Sequence, residues 1–182
     1  MAEGQTSKLH FLAHHEASHA AVAFSFGLRL EQVRIEPDDG SGGVTLTAEA
    51  LQKRTDMQRV LIALAGARAE RYLNPFCVGQ WKGSDLDEIR ALNIIAARLH
   101  SRLQGRSQDY IDKIYERMKS RLADRCGLIV EERWPAIQRL AVELASRANV
   151  TRWVEVTGEE AERALTGEDG QSHNRQNHMR AS

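Results

Sequence analysis

Apolar residues recur at steps of three and four along most of the chain, the spacing that is typical of amphipathic helices. In the first such segment Leu12, His15 and His19 share one helical face, and Gly27 is a typical residue just after a helix end. The pattern predicts five helical segments: Leu9–Phe26, Thr55–Leu73, Ser84–Leu103, residues 107–147 and a short one ending near Leu165.

One segment follows a different pattern. Val33 and Ile35 alternate with charged neighbours, a turn-rich stretch covers residues 38–43, and Val44–Thr47 again suits a strand. The economical prediction is a small antiparallel pair. The fold class is therefore mainly α, with a small antiparallel β element after the first helix.

Capping signals fix several helix ends. Thr55 or Asp56 can cap the second helix, and Ser84 with Asp87 forms a capping-box pattern before the third. Thr157 with Glu160 forms another before the last helix. Gly127 and Trp134-Pro135 interrupt residues 107–147, which predicts two helices or one kinked helix.

Composition narrows the class of protein. The 182 residues carry 25 Lys+Arg against 25 Asp+Glu, so bulk charge gives no reason to expect binding to nucleic acid or to an anionic membrane. No apolar run approaches the roughly 20 residues that span a bilayer, and we expect a soluble, cytoplasmic protein. Cys77 and Cys126 are expected to be free, mostly buried thiols.

We expect one folded domain. The polar residues 1–8 are predicted to be a disordered N-terminus, residues 9–166 the domain, and residues 167–182 a disordered polar tail without periodicity.

The chemistry-bearing motif lies in the first predicted helix. His15-Glu16-Ala17-Ser18-His19 is an H-E-x-x-H sequence, in which two His four residues apart stand one above the other and can reach one tetrahedral Zn²⁺. Glu16 projects toward the open metal position, where it can take a proton from the attacking water and pass it to the leaving amine. The motif predicts a zinc peptidase.

A catalytic zinc needs a third protein ligand, and the residues leave its identity open. The position of the third His in H-E-x-x-H-x-x-G-x-x-H enzymes is Ser25 here. The candidates are carboxylates: Glu70, which needs a partner on an otherwise apolar helix, and Asp85, Asp87 and Glu88 near the start of the third helix. Asp85 is attractive because it follows a Gly-containing loop.

His10 and His14 form a second pair with the same spacing. They lie one residue out of phase with His15 and His19 and so face about 100° away. A second metal site there is an alternative to the simpler interpretation, partly exposed side chains at the helix entry.

Five tracts in order resemble the proteolytic domain of FtsH-type AAA+ zinc proteases. They are the H-E-A-S-H-A motif, Val33-Arg34-Ile35-Glu36-Pro37, Gly43-Val44-Thr45, Leu64-Ala65-Gly66-Ala67-Arg68-Ala69-Glu70 and Gly83-Ser84-Asp85-Leu86. Thr157-Gly158-Glu159-Glu160 resembles the close of that domain. The resemblance covers about Leu9 to Leu165 and implies a helical zinc peptidase fold.

By position, the resemblance implies His15, His19 and Asp85 as zinc ligands and Glu16 as the catalytic residue. It also implies that Glu70 supports a ligand His from behind. Gly43, Val44 and Thr45 would form an edge strand that pairs with substrate backbone, so that unfolded peptides are bound with little regard to sequence.

Departures from the family also shape the expectation. Ser18 and Ser84 replace Gly and Asn, and Arg71 and Ala65 replace Glu and Gly. No Walker A sequence occurs, so we expect a metalloendopeptidase without its own AAA+ motor, with a separate ATPase or unfoldase as a candidate partner and homo-oligomerisation as an open option. The alternative is a zinc-bound but proteolytically silent peptide-binding or assembly module, which would have no need of Glu16.

Overall fold

The computed structural model describes the backbone of residues 3–75, 82–148 and 153–167, and the side chains of 8–75, 86–148 and 153–167. Six helices and three strands lie in these residues. In chain order they are α1 (Glu3–Ser25), β1 (Leu30–Glu36), β2 (Ser41–Leu46), α2 (Ala48–Lys53), α3 (Asp56–Leu73), α4 (Lys82–Arg102), α5 (Gln108–Ala148), β3 (Val154–Thr157) and α6 (Gly158–Thr166). The predicted class, mainly α with a small antiparallel sheet, is confirmed.

Helix α1 is the centre of the molecule and packs against α3, α5 and β1. Small residues make this close packing feasible, because the distance between helix axes depends on the side chains at the contact. Ala13, Ala17 and Ala20 on α1 are buried, as are Ala65 and Ala69 on α3. The backbone of α3 can therefore come close enough to α1 to reach its histidines.

The sheet has the order β2-β1-β3, and both pairings are antiparallel. Val33 of β1 lies opposite Val44 on one side and Val156 on the other. The predicted pair β1–β2 is confirmed, but β3 was not predicted, since a four-residue strand carries too little alternation to stand out. β2 is an edge strand among the described residues.

Two predicted caps are found as expected. Thr55 and Gln58 form a reciprocal capping box at the start of α3, and Thr157 and Glu160 form one at the start of α6. The short helix α2, capped by the Thr47 side chain, was not predicted. It takes up six of the nine residues between β2 and α3.

Two expectations about helix starts need correction. Helix α4 begins at Lys82, so Ser84 is its third residue and not its N-cap. Helix α1 begins at Glu3, so residues 3–8, expected to be disordered, continue the helix; they contain no Pro to stop it. For residues 108–148 the sequence left two helices or one kinked helix open, and the structure has one helix with Pro135 inside it.

The predicted tail from residue 168 onward lies outside the described residues. Gly167 is described and ends α6 in the left-handed conformation, with φ 77°. Of the two cysteines, Cys126 is free and buried as expected, and burial raises the pKa of its thiol to about 12. Cys77 lies outside the described residues.

Candidate metal centre

The H-E-x-x-H motif occupies the middle of α1, and the buried side chains of His15, Glu16 and His19 line a cleft. The rings of His15 and His19 stand edge to face with centroids 4.7 Å apart. Their Nε2 atoms are 3.0 Å from each other. The helix therefore points two imidazole nitrogens at one position, as the four-residue spacing predicts.

Helix α3 fixes which ring nitrogens face that position. His19 Nδ1 lies 2.6 Å from the backbone oxygen of Ile62. A carbonyl oxygen can only accept, so Nδ1 of His19 carries the hydrogen and, in the neutral ring, Nε2 keeps its lone pair. His15 Nδ1 lies 2.6 Å from Glu70 Oε1 and donates to that carboxylate. These outer contacts are the ones that orient metal-ligating histidines.

Asp87 of α4 brings a carboxylate to the same point. Its Oδ2 lies 3.4 Å from His15 Nε2 and 3.2 Å from His19 Nε2. In a tetrahedral site with metal–nitrogen distances near 2.0–2.1 Å, neighbouring ligand atoms are about 3.3 Å apart. The separations of 3.0, 3.2 and 3.4 Å therefore suit one ion held by all three side chains.

The charges of the three groups also favour a cation between them. Burial lowers the pKa of His15, but hydrogen bonds to Asp87 and Glu70 outweigh it and raise that pKa to about 10. Burial opposes ionisation of Asp87, yet its contacts with the two histidines hold its pKa below the usual range. The two ring nitrogens and the carboxylate face one point and thus favour positive charge there, which a proton or a metal ion can supply.

The other carboxylates considered as third ligand take different places. Glu70 lies on the far side of the His15 ring and contacts Nδ1, which agrees with a supporting position and not with a ligand position. Glu88 is not part of the cluster. The side chain of Asp85 lies outside the described residues. Within the described part of the chain, His15, His19 and Asp87 form the cluster that could hold a metal ion.

Glu16 lines the same cleft, under the edge strand. A Cβ atom on Gly42 would come within 2.6 Å of the Glu16 side chain, so β2 passes directly over this carboxylate. Burial raises the pKa of Glu16, and His19 and His15 oppose that rise. A carboxyl group with a raised pKa, next to a metal position, has the character of a general base.

The cleft has a volume of about 490 Å³ and runs along β2. Gly43 and Val44 of the edge strand line it, together with Leu86 and Arg90 of α4. Thr45 lies next along β2 and pairs with Gln32 of β1.

His10 and His14 lie away from this centre. His14 is buried, which differs from the predicted partial exposure, and its ring stacks on Trp134 with centroids 5.4 Å apart. Its Nδ1 donates to the backbone oxygen of His10 at 2.8 Å. In the residues with described side chains the pair belongs to no cluster of three metal-binding groups.

Comparison with known proteins supports a metallopeptidase. A family model described as Peptidase M50B-like matches residues 5–79. The chain carries a metallopeptidase domain. The matched segment runs from α1 past the end of α3 and so includes His15, Glu16, His19 and Glu70. No curated protein matches the chain. None of the described helices combines the length and the apolar character that crossing a membrane requires.

Proposed function

We propose that this chain is a zinc metalloendopeptidase of the FtsH-like type, which hydrolyses peptide bonds in unfolded or loosely folded proteins. One observation carries the proposal. The ligand atoms of His15, His19 and Asp87 converge at tetrahedral separations on the floor of a cleft, with the Glu16 carboxylate beside them.

Each residue of the site would have a distinct role. His15, His19 and Asp87 would hold zinc, which when bound polarises the scissile carbonyl and activates water. Glu16 takes a proton from the attacking water and returns it to the leaving amine. Glu70 and the Ile62 carbonyl keep the two imidazoles in the required tautomer and orientation.

The edge strand supports a preference for extended substrates. β2 has one side paired with β1 and lines the cleft with its glycines. A peptide laid along its free edge would gain main-chain hydrogen bonds, which are independent of side-chain identity. Only an extended segment can do this, so folded substrates would first need unfolding by another agent such as a separate ATPase. We place this activity in the cytoplasm.

The third ligand is tested by paired substitutions. Asp87→Asn keeps the shape of the side chain but removes the charge, and should weaken zinc binding by at least tenfold. Asp85→Asn should leave zinc affinity near that of the unsubstituted chain. The opposite order would assign the ligand to Asp85, as the family resemblance implies.

The activity itself is tested with the zinc-loaded chain and casein, an unstructured protein, without ATP. Internal cleavage products in the mass spectrum would support an endopeptidase that works without a motor. Zinc bound at one ion per chain with no cleavage would instead favour the silent peptide-binding module.

A further inference from the structure

The two carboxylate oxygens of Asp87 have different partners. Oδ2 faces the Nε2 atoms of His15 and His19. Oδ1 accepts a hydrogen bond from Nη1 of Arg90 at 3.0 Å. The two residues are three apart on α4, so the helix itself holds the guanidinium over the outer oxygen.

Without a hydrogen-bond partner for Oδ1, the orientation of the Asp87 carboxylate would be less well defined. Rotation about its last side-chain bond is broad and nearly two-fold, so either oxygen, or both, could turn toward the metal position. Binding through both oxygens would add a ligand, and a catalytic zinc must keep one position open. The hydrogen bond from Arg90 ties up Oδ1 and leaves only Oδ2 directed at the histidines.

We infer that Arg90 is a positioning residue that keeps Asp87 a one-oxygen metal ligand and so preserves the open position for substrate. This inference rests on the proposed metal centre and extends it by one residue. In other metal sites the ligating carboxylates are themselves hydrogen-bonded, and the loss of such an outer partner costs 10–100-fold in metal affinity or activity.

The exposure of Arg90 makes this role testable. Its side chain is 72% exposed, and exposed ion pairs contribute little to folding stability. Substitution of Arg90 should therefore leave the fold intact. Arg98 provides a matched control, because it also lies on α4 and pairs with a carboxylate, Asp56, which the metal cluster does not include.

The experiment titrates the full-length chain with Co²⁺, whose absorption spectrum reports the number and geometry of its ligands. Arg90→Gln should bind Co²⁺ 10–100-fold more weakly than the unsubstituted chain, because the Asp87 carboxylate is no longer held in one orientation. Its visible band should also be weaker, because binding through both carboxylate oxygens raises the number of ligands from four to five. Arg90→Lys should recover part of the affinity, because an ammonium can also donate to Oδ1. Arg98→Gln should match the unsubstituted chain in affinity and spectrum.

Other results would contradict the inference. An Arg90→Gln chain with unchanged Co²⁺ affinity and spectrum would overturn it. If, in that chain, only the KM for casein rises, Arg90 is a substrate contact and the inference is also overturned. An unsubstituted chain that binds no Co²⁺ or Zn²⁺ would overturn the proposed function, and this inference with it.

Discussion

Gly66 of α3 lies against the imidazole of His15, and a Cβ atom at this position would overlap the ring atoms Cε1 and Nε2. The ring of a candidate metal ligand thus occupies the space that any other residue at position 66 would fill. Glycine in a helix interior costs about 1 kcal/mol relative to alanine. That cost is explained here by the close approach of α3 to α1.

Gly66→Ala should therefore displace His15. We expect zinc affinity to fall by at least tenfold and stability by about 1–3 kcal/mol, the usual effect of overpacking a core. Zinc content after gel filtration and urea unfolding would measure both. The control is Gly127→Ala on α5, where a Cβ meets no atom within 4 Å and stability should rise by about 0.5–1 kcal/mol. Equal behaviour of the two variants would contradict the packing argument.

Gly42→Ala should impair the general base, Glu16, without loss of the metal. The new Cβ would push on the Glu16 carboxylate and leave the histidines untouched, so kcat for casein should fall at least tenfold while one zinc per chain is retained. Gly43 has open space at the corresponding point, so Gly43→Ala should lose far less activity. Loss of zinc from Gly42→Ala would show that β2 supports the ligands and not the base.

Zinc should stabilise the folded chain, because the ligand cluster exists only when α1 and α4 are assembled. Free zinc at about a thousand times its Kd would add about 4 kcal/mol. Thermal unfolding with zinc and with a chelator measures this gain. His15→Ala, which removes a ligand, should show no gain, and an equal gain in that variant would place the ion elsewhere.

Stability at acid pH should depend on Glu160. Arg147 and the amide and hydroxyl of Thr157 donate to its carboxylate and lower its pKa from 4.5 to about 2. The ionised form is thus favoured in the folded state, so its contribution is complete above about pH 4.5 and is lost as pH falls toward 2. Glu160→Gln can still form the capping box but carries no charge.

Urea unfolding at two pH values measures this contribution. At pH 6 the Gln variant should be less stable by about 1 kcal/mol, the scale of a single partly exposed pair. At pH 3 the difference should shrink. A difference that stays constant between pH 6 and pH 3 would mean that the charge of Glu160 contributes nothing.

The elements that could be predicted are those with local signals. The capping boxes at Thr55 and Thr157 lie within four residues of sequence, and the structure has both. Ser84 carried the same signal, but α4 starts two residues earlier, at Lys82. A capping pattern shows where a helix can begin, but the residues before it determine whether the helix begins there or earlier.

In the candidate site, too, the features with a local sequence signal could be predicted and those that depend on tertiary packing could not. The spacing of His15 and His19 is enough to place two nitrogens at one point, because both lie on one helix. The third ligand depends on how α4 is rotated against α1. Asp85 and Asp87 differ by about 200° around a helix axis, and no pattern in the sequence reports that rotation. The positions of Gly42 over Glu16 and of Gly66 under His15 depend on tertiary packing in the same way.

In the proposed mechanism Glu16 transfers the proton, beside a metal that other residues hold. The most direct test compares casein hydrolysis by the unsubstituted chain and by Glu16→Gln, each loaded with one zinc per chain and without ATP. We expect cleavage by the former and a loss of at least a hundredfold in the latter, with zinc affinity retained. Equal rates of cleavage by the two zinc-loaded chains would contradict it.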